Sequence, residues 1–390
     1  MSSSMPSLIR SPLIAIIGAG PAGLLLARIL GLHNISYTLF ERDPHPHLAQ
    51  QGGTLDIHVH TGQHALKEAG LLEEFKKHAR YEGLANKIAD LSGKVWVDMP
   101  VEESGDGNDR PEIDRKDLRS MLLASVPGDS VRWGSKVKEV VTGNDGMEIH
   151  LMDGQVEKGF KLVVGADGAW SKARNLVTSI KPTYSGIHAF TSLIKPHDPC
   201  YDHASSLVGK GNYFATGGER MLGAQRMGDG NYIMTVTLKL PETWSADTQL
   251  AEDPLRLRKW LLNDIFADAD ETNRRLIQQS QGPFRSWPFY HLPDESVPWK
   301  SCPGVTLTGD AAHLTLPSGE GVNMAMYDSW QLARQIIDHG VDRLDDAVTA
   351  YEKNMFERAP EIFKGQDVMH QLMAEDAPRS FLRAVGALQD

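Results

Sequence analysis

The chain has 390 residues, is 41% hydrophobic and 23% charged, and carries a formal net charge of −11. Its length predicts two or three domains, and its acidic balance argues against a nucleic-acid-binding protein, which normally presents a basic surface. The two cysteines, Cys200 and Cys302, lack metal-ligand spacing, so we expect no metal site and reduced thiols in a cytoplasmic protein.

An uncharged run from Leu13 to Ala27 has the composition of a signal-peptide core or a short membrane span. Three glycines and Pro21 interrupt the run, and Arg28 ends it well short of the ~20 apolar residues that a spanning helix needs. We therefore predict a buried strand, a turn and a helix here, and no association with a membrane.

The first predicted elements make a βαβ opening: a strand at Leu13–Ile17, a helix at Pro21–Leu32 and a strand at Tyr37–Phe40. Helical spacing returns at Gln63–Leu72, and Asp114 with Asp117 precedes an aliphatic run in the manner of a capped helix start. Extended patterns then predict strands at Val131–Val141, Met147–Met152 and Leu162–Val164.

The pattern changes after about residue 180. Short alternating segments separated by glycine-rich turns predict an antiparallel sheet, with strands at Tyr213–Thr216, Arg220–Arg226 and Tyr232–Leu238. After a buried strand at Val305–Thr308, helices are predicted at Met324–Asp338 and Asp345–Phe356.

Residues 18–23 match the dinucleotide-binding fingerprint, with Gly18, Gly20 and Gly23 at its fixed positions and Pro21 and Ala22 opening the helix. Gly18 permits the tight turn, Gly20 lets a pyrophosphate approach the backbone, and Gly23 lets the helix pack closely on the strand. The helix N-terminus offers unpaired amide groups to the phosphates. Glu41 ends the second strand and can accept hydrogen bonds from a ribose, which predicts a site for an adenosine diphosphate group without a 2′-phosphate. The alternative is a glycine-rich turn without a ligand.

Further motifs follow in a fixed order along the chain. They are Glu41-Arg42, then Gly165-Ala166-Asp167-Gly168 with Ser171 and Arg174, then Gly309-Asp310-Ala311-Ala312-His313 with Pro317, Gly319, Gly321 and Asn323. This set, over about residues 12 to 357, resembles that of the single-component FAD-dependent aromatic hydroxylases. The segments Gly52–His58 and Pro111–Arg119 are most similar to the tetracycline-inactivating flavin monooxygenases of that family.

The resemblance implies an α/β fold with a Rossmann-like FAD-binding domain of the glutathione-reductase type, formed discontinuously by residues 1–180 and 286–340. An antiparallel-sheet substrate domain is inserted at 181–285, and residues 341–390 form a C-terminal helical segment. The implied reaction uses NADH or NADPH to reduce FAD, and O2 then forms a flavin C4a-hydroperoxide that hydroxylates an electron-rich aromatic or enolic ring, phenolic or polyketide-like. Because FAD supplies the chemistry, no catalytic residue of the protein is expected.

The resemblance also implies which residues contact the cofactor. Arg42, Asp56 and Arg115 match residues that touch FAD, Asp310 matches the aspartate bound to the ribityl chain, and Asp167 belongs to a motif implicated in FAD and NAD(P)H binding. The expected site is completed at the start of a helix by Gly321, Val322 and Asn323. Arg115 as an ordinary helix charge and Asp56 as a turn-former remain alternatives. His58 and His313 are candidate acid–base groups, with a structural role favoured for His313 and equally open for His58.

The predicted substrate pocket is less polar than that of the tetracycline-inactivating relatives. The positions that hold the drug there correspond by spacing to Thr191, Asn212, Ile233 and Thr235, and none keeps the relative's residue. Phe214 and Pro317 complete the pocket. Phe190, Tyr232 and Met234 are, with Phe214, candidates for keeping water out, and a place in the generic core is favoured for each of them. Glu320 and Leu316 depart from the family's usual Gln and Pro at positions expected beside the flavin ring.

No second complete fingerprint occurs, so the reductant is expected to dock transiently. The alternatives to a monooxygenase are a flavin oxidase or dehydrogenase on the same fold, and a flavin-binding protein without turnover. We expect a monomer acting on a small molecule, with an oligomer left open. The sequence leaves undecided the natural substrate and the choice between NADH and NADPH.

Overall fold

A computed structural model of the chain describes residues 13–47, 52–100 and 110–388, so parts of the predicted 1–180 segment lie outside the described residues. Its strands are β1 (Ile14–Ile17), β2 (Tyr37–Phe40), β3 (Thr54–Asp56), β4 (Asn86–Asp90), β5 (Val95–Met99), β6 (Glu112–Asp114), β7 (Val131–Arg132), β8 (Val137–Gly143), β9 (Gly146–Leu151), β10 (Val156–Phe160), β11 (Leu162–Gly165), β12 (Thr183–Ile194), β13 (Asn212–Gly217), β14 (Arg220–Arg226), β15 (Tyr232–Lys239), β16 (Arg285–His291) and β17 (Val305–Leu307).

The α-helices are distributed along the described chain from Pro21 to Ala384. They are α1 (Pro21–Leu32), α2 (His64–Glu68), α3 (Leu72–His78), α4 (Arg115–Ala124), α5 (Tyr201–Val208), α6 (Trp244–Thr248), α7 (Pro254–Trp260), α8 (Glu271–Gln279), α9 (Gly321–His339), α10 (Leu344–Lys364), α11 (Gln366–Leu372) and α12 (Arg379–Ala384). Within the described ranges, none combines the length and the apolar character that crossing a membrane requires.

A parallel sheet, in the order β17-β11-β1-β2-β7, contains β1 of the predicted βαβ opening as its central strand. All four residues of β1 are buried, and α1 and α9 pack against each other beside the sheet. A strand covered on both faces needs a continuous aliphatic run, which Ile14–Ile17 provides. The predicted βαβ opening is confirmed, including both ends of α1 and β2.

A second, mostly antiparallel sheet runs in the order β16-β12-β15-β14-β13-β4-β5. It draws on strands outside the predicted 181–285 segment, because β4 pairs in parallel with β13 and β5 continues the edge. No local turn links β4 to β13, so the alternating pattern did not reveal this pairing. The mixed α/β fold class is confirmed.

The two faces of this second sheet have different neighbours. Phe190, Tyr232 and Met234 are fully or almost fully buried in a cluster with helices α5 to α8, on the face away from β1 and its loops. These three side chains therefore belong to the core, the role favoured for them from the sequence, and they point away from the predicted substrate residues because adjacent residues of a strand point to opposite faces. Phe214 belongs instead to the inner face, in a cluster with Met221, Leu316 and Met373.

Three helix predictions differ from the structure in detail. α10 continues to Lys364 with Pro360 inside it, beyond the predicted end at Phe356. The predicted Gln63–Leu72 helix is divided into a π-helical turn at Val59–Gln63, α2 and the start of α3. Asp114 precedes α4 but does not cap it, because its carboxylate binds Arg80 and the amide of Gly228.

Candidate functional site

A cavity of about 640 Å³ lies at the carboxyl ends of β1, β2 and β11. Ligands of open parallel sheets bind at this edge, where the loops after the strands meet. The cavity wall brings together six of the thirteen predicted cofactor-binding residues, namely Gly18, Gly20, Glu41, Arg42, Arg115 and Asp167. Asp56, Asp310 and the start of α9 are not part of this wall.

The surroundings of Gly18 and Gly23 exclude a larger side chain, whereas those of Gly20 leave open space. Gly18 has a φ of 103°, and a Cβ there would stand 2.4 Å from the carbonyl oxygen of Ala166. A Cβ on Gly23 would stand 2.0 Å from the oxygen of Gly18, whereas one on Gly20 would meet nothing within 4 Å and would enter the open cavity. No side chain caps the first turn of α1, so its amide groups remain available to an anion.

Glu41 is held at the cavity wall by the backbone. Its Oε2 accepts from the amide of Ala19 at 2.6 Å and its Oε1 from the amide of Asp43 at 2.8 Å. Arg119, which the sequence did not single out, donates to the oxygen of Ala19 and to Asp43, both at 3.0 Å. Each carboxylate oxygen has a further lone pair, so Glu41 can also accept from ribose hydroxyls.

Arg174 connects the loop after β11 to the loop that carries Asp310. Its guanidinium, 3% exposed, donates to the oxygens of Ala311 and Asp310 at 2.8 Å and of Ala169 at 2.6 Å. Beside it, Asp167 Oδ2 accepts from the amide of Lys172 at 2.7 Å, while Oδ1 is buried without a hydrogen-bond partner among the described residues. Burial raises the pKa of Asp167. An unpaired buried oxygen in a cavity wall is a fitting acceptor for a bound group.

Arg115 and Asp310 interact electrostatically across the opening. Desolvation by the surrounding protein lowers the pKa of the Arg115 guanidinium, and the Asp310 carboxylate raises it. The Arg115 side chain is nevertheless exposed to the cavity. Asp310 is likewise exposed. An exposed cation and an exposed anion within electrostatic range of each other can bind a phosphate and a polyol chain respectively.

A charged cluster lies where β3 meets the start of α9. The Nε2 of His58 is 2.8 Å from Asp56 Oδ2, and its Nδ1 is 3.4 Å from Glu320 Oε1. Burial alone would lower the pKa of His58, but its hydrogen bonds to Asp56 and Glu320 raise the pKa to about 9. The imidazole is therefore a cation at neutral pH, between two carboxylates.

Asn323 connects this cluster to α9 through hydrogen bonds. Its Oδ1 accepts from the amide of His58 at 2.8 Å, and its Nδ2 donates to the oxygens of Asp56 and Gly319 at 2.9 and 3.0 Å. The predicted cofactor residue Asn323 is thus fully engaged within the protein. Gly321 and Val322, beside it in the first turn of α9, are partly exposed.

The cluster predicts a pH-dependent stability. The pKa of His58 is raised from 6.5 to about 9, so its stabilisation is fully present below pH 6.5 and is lost as the pH rises through about 9. Between those limits, the free energy of unfolding of the wild type should fall by roughly 1–3 kcal/mol relative to His58→Gln, after screening of the partly exposed carboxylates. Urea unfolding of both proteins across this range checks it, and parallel pH profiles would contradict it.

His313 has a structural position. Its Nε2 is 2.5 Å from Asp328 Oδ2, and Arg358 donates to Asp328 Oδ1 at 2.6 Å. Both His313 and Asp328 are buried, and the hydrogen bond to Asp328 outweighs burial and raises the pKa of His313. These contacts join the loop that carries Asp310 to α9 and α10.

Most of the predicted substrate residues share the inner face of the second sheet. Strand register places Thr191 opposite Thr235, Thr235 opposite Gly223, and Gly223 opposite Phe214, in one row across four strands. Ile233 lies in the next row, and its Cγ2 is 3.4 Å from the position of a Cβ on Gly53.

Asn212 and Pro317 differ from the other predicted substrate residues. Asn212 is 6% exposed, and its amide donates to Gly83 O and Glu112 Oε1, both at 3.0 Å, so its donors are engaged within the protein. Pro317 is exposed in the loop before α9, next to the buried Leu316.

Two exposed tryptophans also line the cavity, Trp170 from the loop after β11 and Trp287 from β16. Trp287 Nε1 donates to the hydroxyl of Thr191 at 3.1 Å, so the cavity and the inner face of the sheet adjoin. Sequence reasoning missed both residues, since a lone tryptophan carries no pattern that distinguishes a cavity wall from a core.

Comparison with known proteins agrees with FAD, the cofactor that the sequence resemblance implies. A family profile described as an FAD binding domain matches residues 12–248. The monooxygenase asqM of Emericella nidulans is 31% identical, over 89% of this chain and 92% of the relative. The structure of Klebsiella pneumoniae HpxO with FAD and uric acid superposes with a TM-score of 0.76 at 21% identity, covering 96% of this chain and 91% of that one.

The expected likeness to tetracycline-inactivating enzymes is confirmed for the fold. Tetracycline destructase Tet(51) superposes with a TM-score of 0.72 at 19% identity, covering 96% of this chain and 95% of the other. The profile match over more than half of the chain, together with a curated monooxygenase relative above 30% identity, decides the assignment. The chain belongs to the FAD-dependent monooxygenases.

Proposed function

We propose that this monooxygenase uses NADH or NADPH and O2 to hydroxylate an electron-rich aromatic or enolic ring of low polarity. The observation that carries the proposal is that the nucleotide cavity adjoins the inner face of the second sheet, through the Trp287–Thr191 contact. When bound, FAD takes two electrons from the reduced nicotinamide and activates oxygen. The protein's part is to bind, to orient and to exclude water.

The residues of the cavity fit FAD. We assign the ribose to Glu41, the pyrophosphate to the amides that open α1, and the ribityl and phosphate groups to Asp310 and Arg115. Three observations support this assignment: the open space at Gly20, the uncapped start of α1 and the unpaired Oδ1 of Asp167. The remaining assigned contacts are Gly18, Ala22, Gly23, Arg42, Asp56, Gly321 and Val322.

The inner face of the sheet supports a substrate of low polarity. Its row presents two threonine hydroxyls and the ring of Phe214. An apolar cluster closes one side, formed by Ile187, Met221, Leu316, Met369 and Met373, all at most 6% exposed. Thioether side chains adapt their shape to a flat ring, and a dry wall favours oxygen transfer over hydrolytic loss.

Relatives indicate suitable probe compounds. One relative, 27% identical, is named 3-amino-4-hydroxybenzoate 2-monooxygenase, and another, 23% identical, 6-hydroxynicotinate 3-monooxygenase. We propose the shared chemistry, a ring activated by a hydroxyl or amino group, for this chain's substrate.

The test measures NADH and NADPH oxidation by the FAD-loaded protein with phenols and anilines that carry no carboxylate, and with these two compounds and uric acid as more polar comparisons, while hydrogen peroxide is quantified. A ring compound that accelerates oxidation without an equal yield of peroxide supports the proposal. If the hydrogen peroxide formed equals the NAD(P)H consumed with every probe, the result would favour a flavin oxidase instead.

Asp310→Ala should lower the affinity for FAD by about tenfold or more, because it removes an acceptor whose hydrogen bonds are worth roughly 1.5–3 kcal/mol. Arg115→Ala should lower it less, because a phosphate at an open cavity keeps part of its hydration and its ionic contact is screened. Titration of the apoprotein with FAD measures both. Unchanged affinity in both variants would remove these two residues from the proposed site.

Tetracycline should be a poor substrate. Ile233 and the hydroxyls of Thr191 and Thr235 offer no charged partner, and two lost hydrogen bonds to charged groups reduce affinity by roughly 10²- to 10⁴-fold. We expect slow NAD(P)H oxidation that yields peroxide. Efficient turnover of micromolar tetracycline with little peroxide would contradict the assigned substrate face.

A further inference from the structure

Asp56, His58 and Glu320 form a charged cluster beside the proposed site, and the proposed reaction gives no role to His58 or Glu320. His58 is 12% exposed and faces one carboxylate at each ring nitrogen, while Asp56 and Glu320 are 31% and 38% exposed. These two carboxylates, one from β3 and one from the residue before α9, are the charged groups that act on it. With His58 protonated the cluster carries a net charge of −1, and with His58 neutral it carries −2.

The cluster adjoins the proposed cofactor site. Leu55 and Arg115 line the cavity, and Asp56 follows Leu55 directly. Gly319 lies against the Asp56 carboxylate and leads through Glu320 into α9. Gly53, one residue before β3, lies against Ile233 of the inner sheet face, while Leu55 within β3 lines the cavity. β3 therefore lies at the boundary between the proposed cofactor and substrate sites, where the redox ring would have to meet the substrate.

We propose that His58 is a positioning residue that neutralises Glu320 and so keeps a carboxylate beside the redox ring from opposing its reduction. The inference rests on the FAD site proposed above. Reduction adds negative charge to a flavin, so a fixed anion nearby disfavours the reduced form and a fixed cation favours it. The raised pKa of His58 supports a permanent cation at this position at neutral pH.

The test is a double-mutant cycle on the flavin reduction potential, measured anaerobically at pH 7 against redox dyes. His58→Gln should shift the reduction equilibrium about tenfold toward oxidised flavin, which is about 30 mV for two electrons. Glu320→Gln alone should shift it by a similar factor toward reduced flavin, and the double variant, which removes one charge of each sign, should return to within about twofold of the wild-type equilibrium. His60→Gln, at an exposed histidine two residues along, serves as the control and should leave the potential unchanged.

A double variant that keeps the full shift of His58→Gln, or no shift for His58→Gln, would overturn the proposal. If His58→Gln fails to fold, His58→Asn takes its place in the same cycle. Glu320→Gln that leaves the equilibrium unchanged at pH 7 would overturn the proposal as well, because the carboxylate would then not act on the ring. No substrate or oxygen enters the measurement, so its outcome is independent of whether any ring compound is hydroxylated.

Discussion

Replacing Asp328 by alanine should reduce the free energy of unfolding by about 3–5 kcal/mol, the usual cost of removing one partner from a buried ionic group. Asp328 is fully buried and holds His313 and Arg358 at 2.5 and 2.6 Å. Without the carboxylate, Arg358 loses its charged partner and His313 loses its hydrogen-bond acceptor. The loop from Gly309 to His313, which carries Asp310, should loosen, and FAD occupancy should fall with stability.

Urea unfolding of the FAD-free protein measures the effect. The matched control is Asp338→Ala on the same helix, where the carboxylate pairs with Arg334 at 3.7 Å and both side chains are more than half exposed. That change should cost about 0–0.5 kcal/mol. A loss below about 1 kcal/mol for Asp328→Ala would show that the buried group does not stabilise the fold as inferred.

Glu41→Ala should lower the affinity for FAD by on the order of 100-fold or more, because hydrogen bonds to a charged acceptor are worth roughly 1.5–3 kcal/mol each and two ribose hydroxyls are within its reach. The change also leaves the amides of Ala19 and Asp43 without their acceptor, which loosens the phosphate turn. FMN lacks the adenosine group, so its weaker binding should change far less.

Titration of the apoprotein with FAD and with FMN measures the difference. Glu139→Ala, at an exposed glutamate of β8, is the control and should leave both affinities unchanged. If Glu41→Ala weakened FAD and FMN equally, the ribose assignment would be wrong, and Glu41 would act only by supporting the turn.

The βαβ opening was predictable because its signals are local. Ile14–Ile17 is aliphatic throughout, and Pro21 begins α1 directly after the fingerprint turn. The second sheet was predictable only in part, since β4 and β5 join it from a distant part of the chain. Which face of β12 and β15 meets the site depends on packing against α5 to α8, and alternation alone cannot assign the two faces.

The candidate site shows the same division. Gly18, Glu41 and Asp167 could be placed from motif context, and all three line the cavity. The engagement of Asn323 and Asn212 inside the protein depends on partners at least 100 residues away. The His58–Glu320 contact spans a similar separation, so the sequence showed two unusual residues but not their pairing.

The most direct test of the central claim is the origin of the oxygen in the product. FAD-loaded protein is supplied with NADPH or NADH and with each hydroxylated or amino-substituted ring probe under ¹⁸O2, and the products are analysed by mass spectrometry. We predict one ¹⁸O atom per hydroxylated product, with one NAD(P)H consumed for each. Product oxygen that comes from water, or nicotinamide oxidation that returns all of the ¹⁸O as hydrogen peroxide with every probe, would contradict the assignment of a hydroxylating monooxygenase.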